Sequence, residues 1–167
     1  NDKVIDTFYL DKDNRFLHKF DSLTPGLYSF KDESEYQYVF FDKNDSIMIR
    51  LNSNDFDNTL MFCGRGDEKN NFMMELFLKD ESLKNNMFDM YEKDEKVFSK
   101  YIDSSYQNTT KLYEKRKSFI NWTEEFDEIA KANIELNYAY KKEIFPIIHE
   151  FKTGNSIKTN LPKTYYK

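Results

Sequence analysis

Two histidines, one cysteine and several carboxylate-rich turns are the residues of this chain whose types suit chemistry. A Ser/His/Asp triad would take His18 or His149 as its base. Neither lies near a Gly-x-Ser-x-Gly turn, and His149 falls at the end of a helical stretch, where the helix dipole favours a cation in any case. Both histidines therefore read as structural. Cys63, in the run LMFCGRG, follows apolar residues and precedes two glycines, the setting of a buried thiol at a strand end. One cysteine permits no internal disulfide, and with two histidines it cannot assemble a Cys/His zinc site of the usual composition.

Carboxylate pairs are frequent, but Glu124-Glu125 and Asp127-Glu128 stand at a helix start, where they complement the dipole without a catalytic role. The turns DKDNR (11–15) and DKNDS (42–46) echo calcium loops, because alternate acidic oxygens can converge on a hard cation. They lack the glycine and bidentate glutamate of an EF-hand, so turn chemistry accounts for them. Gly64-Arg65-Gly66 is too short for a dinucleotide fingerprint and too poor in glycine for a P-loop. A helix follows it, so an anion can settle on exposed amides there; a sharp strand-to-helix connection is its ordinary role. Sequons at Asn44, Asn108 and Asn121 are chance matches in an asparagine-rich chain. No catalytic constellation, cofactor or metal is expected of these residues.

The elements that must position these groups fall into two halves. Bulky β-prone runs at 4–10, 15–20, 26–31, 36–41, 47–51 and 59–63 are separated by turn-rich segments. Six short strands imply a small antiparallel β-sandwich or open barrel over residues 1–66. Ile47, Ile49 and Leu51 share one face of their strand, which should be core. From Asp67 the period changes to that of helices, giving about three over residues 67–152. The first runs to about Lys79; the second runs from near Asp94 to about Ile120, with the polar stretch SSYQNTT as a bent or frayed middle. The third has Thr123 as N-cap and is kinked or ended at Pro146. Residues 153–167 read as a tail or the start of a linker. The fold class is thus α+β.

Composition narrows the function classes. The chain has 167 residues, 39% of them hydrophobic and 33% charged, and its 16 Phe and 12 Tyr supply an aromatic core. A net charge of −5 argues against a phosphate-binding surface, because nucleic-acid binders need basic patches. Lys111, Lys115, Arg116 and Lys117 spread around a helix as a solvated face. No run approaches the roughly 20 apolar residues that span a bilayer.

Several motifs occur together. Pro25-Gly26 with Tyr28 opens a strand, Asp45-Ser46-Ile47 opens another, Phe56-Asp57 leads to the glycines at 64 and 66, and Asn70-Asn71-Phe72 starts a helix. With the later run EEFDEIAKANIELNYAYKKEIFP, they make most of residues 23 to 150 resemble the N-terminal region of exported thioredoxin-like thiol-disulfide oxidoreductases of the Bacteroidetes type. That family often has glycine where this chain has Asn44, which leaves the type of turn open. In the family the redox CxxC lies in a separate C-terminal thioredoxin-like domain, and Cys63 corresponds to no catalytic position. The resemblance implies a non-catalytic accessory domain, exported to the periplasm or tethered as a lipoprotein. It would scaffold a thioredoxin-like domain of the same parent protein, or recognise a protein client. It also implies that the natural chain continues beyond Lys167.

Two function classes follow. One is an interaction module marked by exposed aromatics, with Trp122, Tyr138 and Tyr140 as candidates, although aromatics at helical spacing also build cores. The other is a small-ligand-binding domain or enzyme with a pocket between sheet and helices, lined by tyrosine hydroxyls and carboxylates.

Overall fold

The structure is a computed structural model that describes residues 3–157 and 161–166. Its elements are β1 (Gly26–Asp32), β2 (Glu35–Phe41), β3 (Ser46–Arg50), a 3-10 turn (Ser53–Asp55), α1 (Phe56–Thr59), β4 (Met61–Arg65), α2 (Asp67–Met90), α3 (Glu95–Lys117) and α4 (Glu124–Thr153). The class is α+β. β1 pairs antiparallel with β2, Leu27 opposite Phe40, and β3 pairs antiparallel with β4, Ile49 opposite Phe62.

These are two separate two-stranded sheets rather than a six-stranded sandwich or barrel. Part of the reason lies in the first turns of α2. The Asn70 side chain accepts the Phe40 N–H (2.7 Å) and donates to the Phe40 carbonyl (3.0 Å). Asn71 does the same for Phe62, accepting its N–H (3.1 Å) and donating to its carbonyl (2.8 Å). A primary amide offers the donor and acceptor of a peptide group, so each asparagine replaces a ladder partner at one edge. β2 and β4 are thereby fastened to α2 instead of to each other.

The remaining discrepancy is at 4–10 and 15–20, which carry no strand. These segments meet through side chains: Phe8 stacks on Phe16 (5.1 Å) and lies 4.9 Å from the His18 ring, and Phe20 lies 6.3 Å from Phe41. Between them Asp11 forms a turn, its carboxylate accepting the Asp13 and Arg15 amides. High β-propensity records fit to a half-buried pleated surface, and residues 4–7 and 9–18 are mostly exposed.

The other motif residues also fix local geometry. The Tyr28 hydroxyl donates to the Thr24 carbonyl just before Pro25-Gly26. Asn44 takes a left-handed φ of 65°, a conformation glycine adopts freely and asparagine tolerates, so the turn survives the exchange. Gly66 has φ 96°, and a Cβ there would overlap the Asp45 carboxylate. That carboxylate lies beside the start of α2 and accepts the Asp42 N–H at 2.8 Å. Asp45 and Asp42 in turn hold the buried Lys69 ammonium at 3.0 and 3.4 Å, so the DKNDS turn binds a lysine. Burial opposes ionisation of Asp42, but the Lys43 amide and Lys69 outweigh it and hold the carboxyl below its ordinary range.

Ile47, Ile49 and Leu51 pack as expected, half-buried against Val39, Phe56, Leu60, Phe62 and Met74. Phe40 leaves that cluster and joins Phe72, Met73, Leu76, Tyr113, Phe126, Ala130 and Ile134. A further cluster contains Met87, Tyr91, Phe98, Ile102, Phe145 and Tyr165. The sequence positions in these two clusters make α2, α3 and α4 an up-down-up bundle.

The helices are longer and more regular than their sequences suggest. α2 continues past Lys79 to Met90, because Leu83 and Met87 resume the apolar period after a polar interruption. α3 is unbroken through SSYQNTT and is capped by Asp94, which accepts the Val97 N–H at 3.0 Å. Thr123 precedes α4 in extended conformation without a side-chain cap bond. Pro146 lies inside α4 without ending it. Proline brings no N–H to the carbonyl four residues back, that of Lys142. The Tyr165 hydroxyl supplies the donor instead, at 2.9 Å. The end of the described chain is thus built into the helical core, with Tyr165 buried.

Candidate functional site

Between the two helical clusters lies a polar layer. Lys79 and Asp80 from α2, Ser105 and Thr109 from α3, and Asn137 and Lys141 from α4 line a half-open cavity of about 50 Å³, flanked by apolar residues including Leu76, Ile134, Met87 and Ile102. This layer explains why α2 seems to stop at Lys79 and why the middle of α3 is polar. The cavity is formed by helices alone, not between sheet and helices.

Its polar groups are unevenly satisfied. Asp80 pairs with Lys141 and accepts from Asn137 at 3.3 Å. Lys79 donates to the Thr109 hydroxyl at 3.0 Å. Among the described residues no carboxylate lies within ion-pairing distance of Lys79. Burial pushes the Lys79 ammonium below its ordinary pKa; Glu75 opposes this and Lys141 adds to it. The Tyr101 hydroxyl, at the cavity wall, is buried and has no hydrogen-bond partner.

The sequence candidates fall in three different settings. Trp122 packs on Phe72 and Phe126 at 5.3 and 5.1 Å, and its Nε1–H donates to Asp127 at 3.0 Å. Tyr138 donates to Asp103 at 2.5 Å and packs on Tyr106 at 4.6 Å; burial and that carboxylate push its hydroxyl up to about 12. Tyr140 alone projects outward, 62% exposed. Trp122 and Tyr138 therefore help to join α3 and α4, and the structure does not bring the three into one surface.

Asp127, read from the sequence only as a dipole-stabilising acid, is a hub. It accepts from Tyr113 (2.6 Å), Trp122 (3.0 Å), Lys117 (2.9 Å) and Lys131 (2.8 Å). Burial opposes its charge, yet the bonds from Lys131, Tyr113, Lys117 and Trp122 hold its carboxyl far below the ordinary range. Every partner is internal, so the hub joins α3 to α4.

The outer face of α4 carries a different feature. Leu136, Tyr140, Ile147 and Phe151 are all exposed, Phe151 at 87%. At about 100° per residue they fall within a stripe roughly 60° wide. Exposed Glu143 and Glu150 border the stripe on one side. The spacing i, i+4, i+11, i+15 was legible, but a second apolar face on an already amphipathic helix merges with the buried one in a linear reading.

The remaining candidates are dispersed. His18 lies in the N-terminal aromatic cluster 3.1 Å from Asp6, whereas His149 is buried with Nδ1 2.9 Å from the Tyr91 carbonyl. Cys63 is half-buried on β4 opposite Met48. Among the described residues, no group of three His, Cys, Asp or Glu is placed to hold a metal ion, and no helix is long and apolar enough to cross a membrane. Compared with family models, curated proteins and solved structures, the chain matches none.

Proposed function

We propose that this chain is a non-catalytic docking module of an exported protein, and that its contact surface is the outer face of α4. The observation that carries this reading is the exposed stripe Leu136, Tyr140, Ile147 and Phe151. Each such side chain gains about 1.5–3 kcal/mol when fully buried, so a contiguous stripe of four is enough to anchor a partner. Exposed Glu143 beside it favours a partner surface that is apolar with a basic rim, because matched charge at an interface edge favours the encounter and disfavours wrong partners.

The sequence resemblance supports a thioredoxin-like domain of the same parent protein in the partner's role, with export to the periplasm or a lipoprotein tether. The test sequences the parent reading frame and, where it encodes a thioredoxin-like domain, titrates that domain against this chain by calorimetry. Saturable binding, weakened at least about tenfold by the double variant I147E/F151E with helical circular dichroism unchanged, is expected. Binding that is unaffected by the double variant overturns the assigned surface. A parent reading frame without such a domain overturns the partner.

A further inference from the structure

We infer that the outer face of the β3–β4 sheet is a binding site for a soft monovalent cation, Cu(I), held by the Cys63 thiolate and the Met48 and Met61 thioethers. Register is the first argument. Cys63 lies directly opposite Met48, and Met61 precedes Cys63 by two residues on β4. Side chains alternate along a strand and opposed residues share a face, so the three sulfur side chains stand together, on the side away from buried Phe62 and half-buried Ile47 and Ile49. Opposed residues hold their Cβ atoms about 4.5–5.5 Å apart, and diagonal neighbours lie about 7–8 Å apart, within reach of long side chains. Metal–sulfur bonds of about 2.3 Å ask for sulfurs about 4 Å apart, and the flexible methionine side chain can bring them there.

Exposure is the second argument. Of the six methionines, Met73, Met74 and Met87 are buried and Met90 packs against a helical cluster. Met48 and Met61, at 56% and 46%, are the exposed ones, and they neighbour the only cysteine. Core packing accounts for the other four and not for these two. The third argument is ligand type and charge. Thiolate and thioether donors suit Cu(I), whereas harder ions prefer carboxylate and carbonyl oxygens. The outward residues of the two strands are Ser46, Met48, Arg50, Met61, Cys63 and Arg65, with no carboxylate or histidine among them. One thiolate neutralises a monovalent ion, but a divalent ion would keep a positive charge beside two arginines. Binding replaces the thiol proton: Cys–SH and Cu(I) give Cys–S–Cu and a released proton, with no change of oxidation state.

The test uses the whole chain, reduced and isotopically labelled at the methionine methyls, titrated without oxygen with Ag(I), a redox-stable analogue, and with Cu(I) buffered by bicinchoninate. Saturation at one ion per chain is expected, with the Met48 and Met61 methyl resonances shifted and those of Met73, Met74, Met87 and Met90 in place. The double variant Met48→Leu/Met61→Leu keeps side-chain volume at exposed positions and should lose at least about tenfold in Cu(I) affinity, because even residues that only orient a metal's ligands are worth that much. Cys63→Ser should lose more. Unmoved Met48 and Met61 methyls, or equal Cu(I) affinity in the double variant, reduce the site to a thiol alone and overturn the inference. Zn(II) shifting the same methyls at the same concentration overturns it as well.

Discussion

Removing one oxygen atom from Tyr165 should have a cost that depends on a residue 19 positions earlier in the chain. Tyr165→Phe leaves the ring where it is, 6.3 Å from Phe145 and beneath the Lys142 ammonium at 5.0 Å. What disappears is the donor to the Lys142 carbonyl, which Pro146 cannot replace. A buried acceptor left without a donor costs about 1–3 kcal/mol, and this carbonyl sits at the margin of the core, so about 1–1.5 kcal/mol is expected. In Pro146→Ala the alanine N–H reaches the same carbonyl, and the further loss of the tyrosine hydroxyl should cost no more than about 0.5 kcal/mol. The coupling is therefore about 1 kcal/mol. Urea unfolding of the four proteins of the cycle, followed by far-UV circular dichroism, measures it directly. A coupling below about 0.3 kcal/mol, with Tyr165→Phe equally costly in both backgrounds, would refute the claim that the hydroxyl mends the break at proline.

Three further outcomes are expected. Asn70→Leu keeps the side-chain volume but strips the Phe40 N–H and carbonyl of their partner, so urea unfolding should show a loss of about 2–5 kcal/mol; a loss under about 1 kcal/mol would count against the clamp. Gly66→Ala combines a positive φ with overlap of the Asp45 carboxylate and should destabilise by about 2–4 kcal/mol, releasing Asp45 from Lys69. Asp127 has a lowered carboxyl pKa in the folded chain, so its contribution is whole above the unfolded value near 3.8 and diminishes as pH falls below it. Stability measured across the acid range should fall less steeply in Asp127→Asn than in the parent, and an unchanged slope would show that the hub contributes little.

The strands from 26 onward were legible because their turns carry strong local chemistry: Glu33 and Asn44 adopt positive φ, and Gly66 breaks β4 from α2. At 4–20 the same bulky composition was misleading, since alternation and propensity describe a strand's side chains and say nothing of an available edge. The lengths of α2 and α3 were obscured by one cause. A polar layer inside a bundle interrupts the apolar period on every helix that contributes to it, and a linear reading takes the interruption for an end or a weak point. The cavity was hidden for a related reason: Lys79, Tyr101 and Lys141 are brought together only by the bundle's up-down-up path. Tyr140 was identified as a contact candidate from its type, but Trp122 and Tyr138 are held by Asp127 and Asp103, partners whose proximity no spacing rule supplies.

One device recurs in this fold and bears on how it works. At β2, at β4 and at Pro146, a backbone group that lacks a main-chain partner receives one from a side chain: Asn70, Asn71 and Tyr165. Each repair ties a different part of the chain to the helices, so the sheets and the C-terminal residues depend on the bundle rather than on one another. α2 supplies both asparagines at one end and two of the cavity's three charged side chains near its middle. Against so thorough a pairing of buried polar groups, the Tyr101 hydroxyl stands out as one without a partner. The outer face of α4 is an exposed apolar stripe on the same bundle. Asn137 and Lys141 line the cavity from the same helix, α4, that carries Tyr140 and Ile147 outward, so one helix both closes the bundle and presents the stripe.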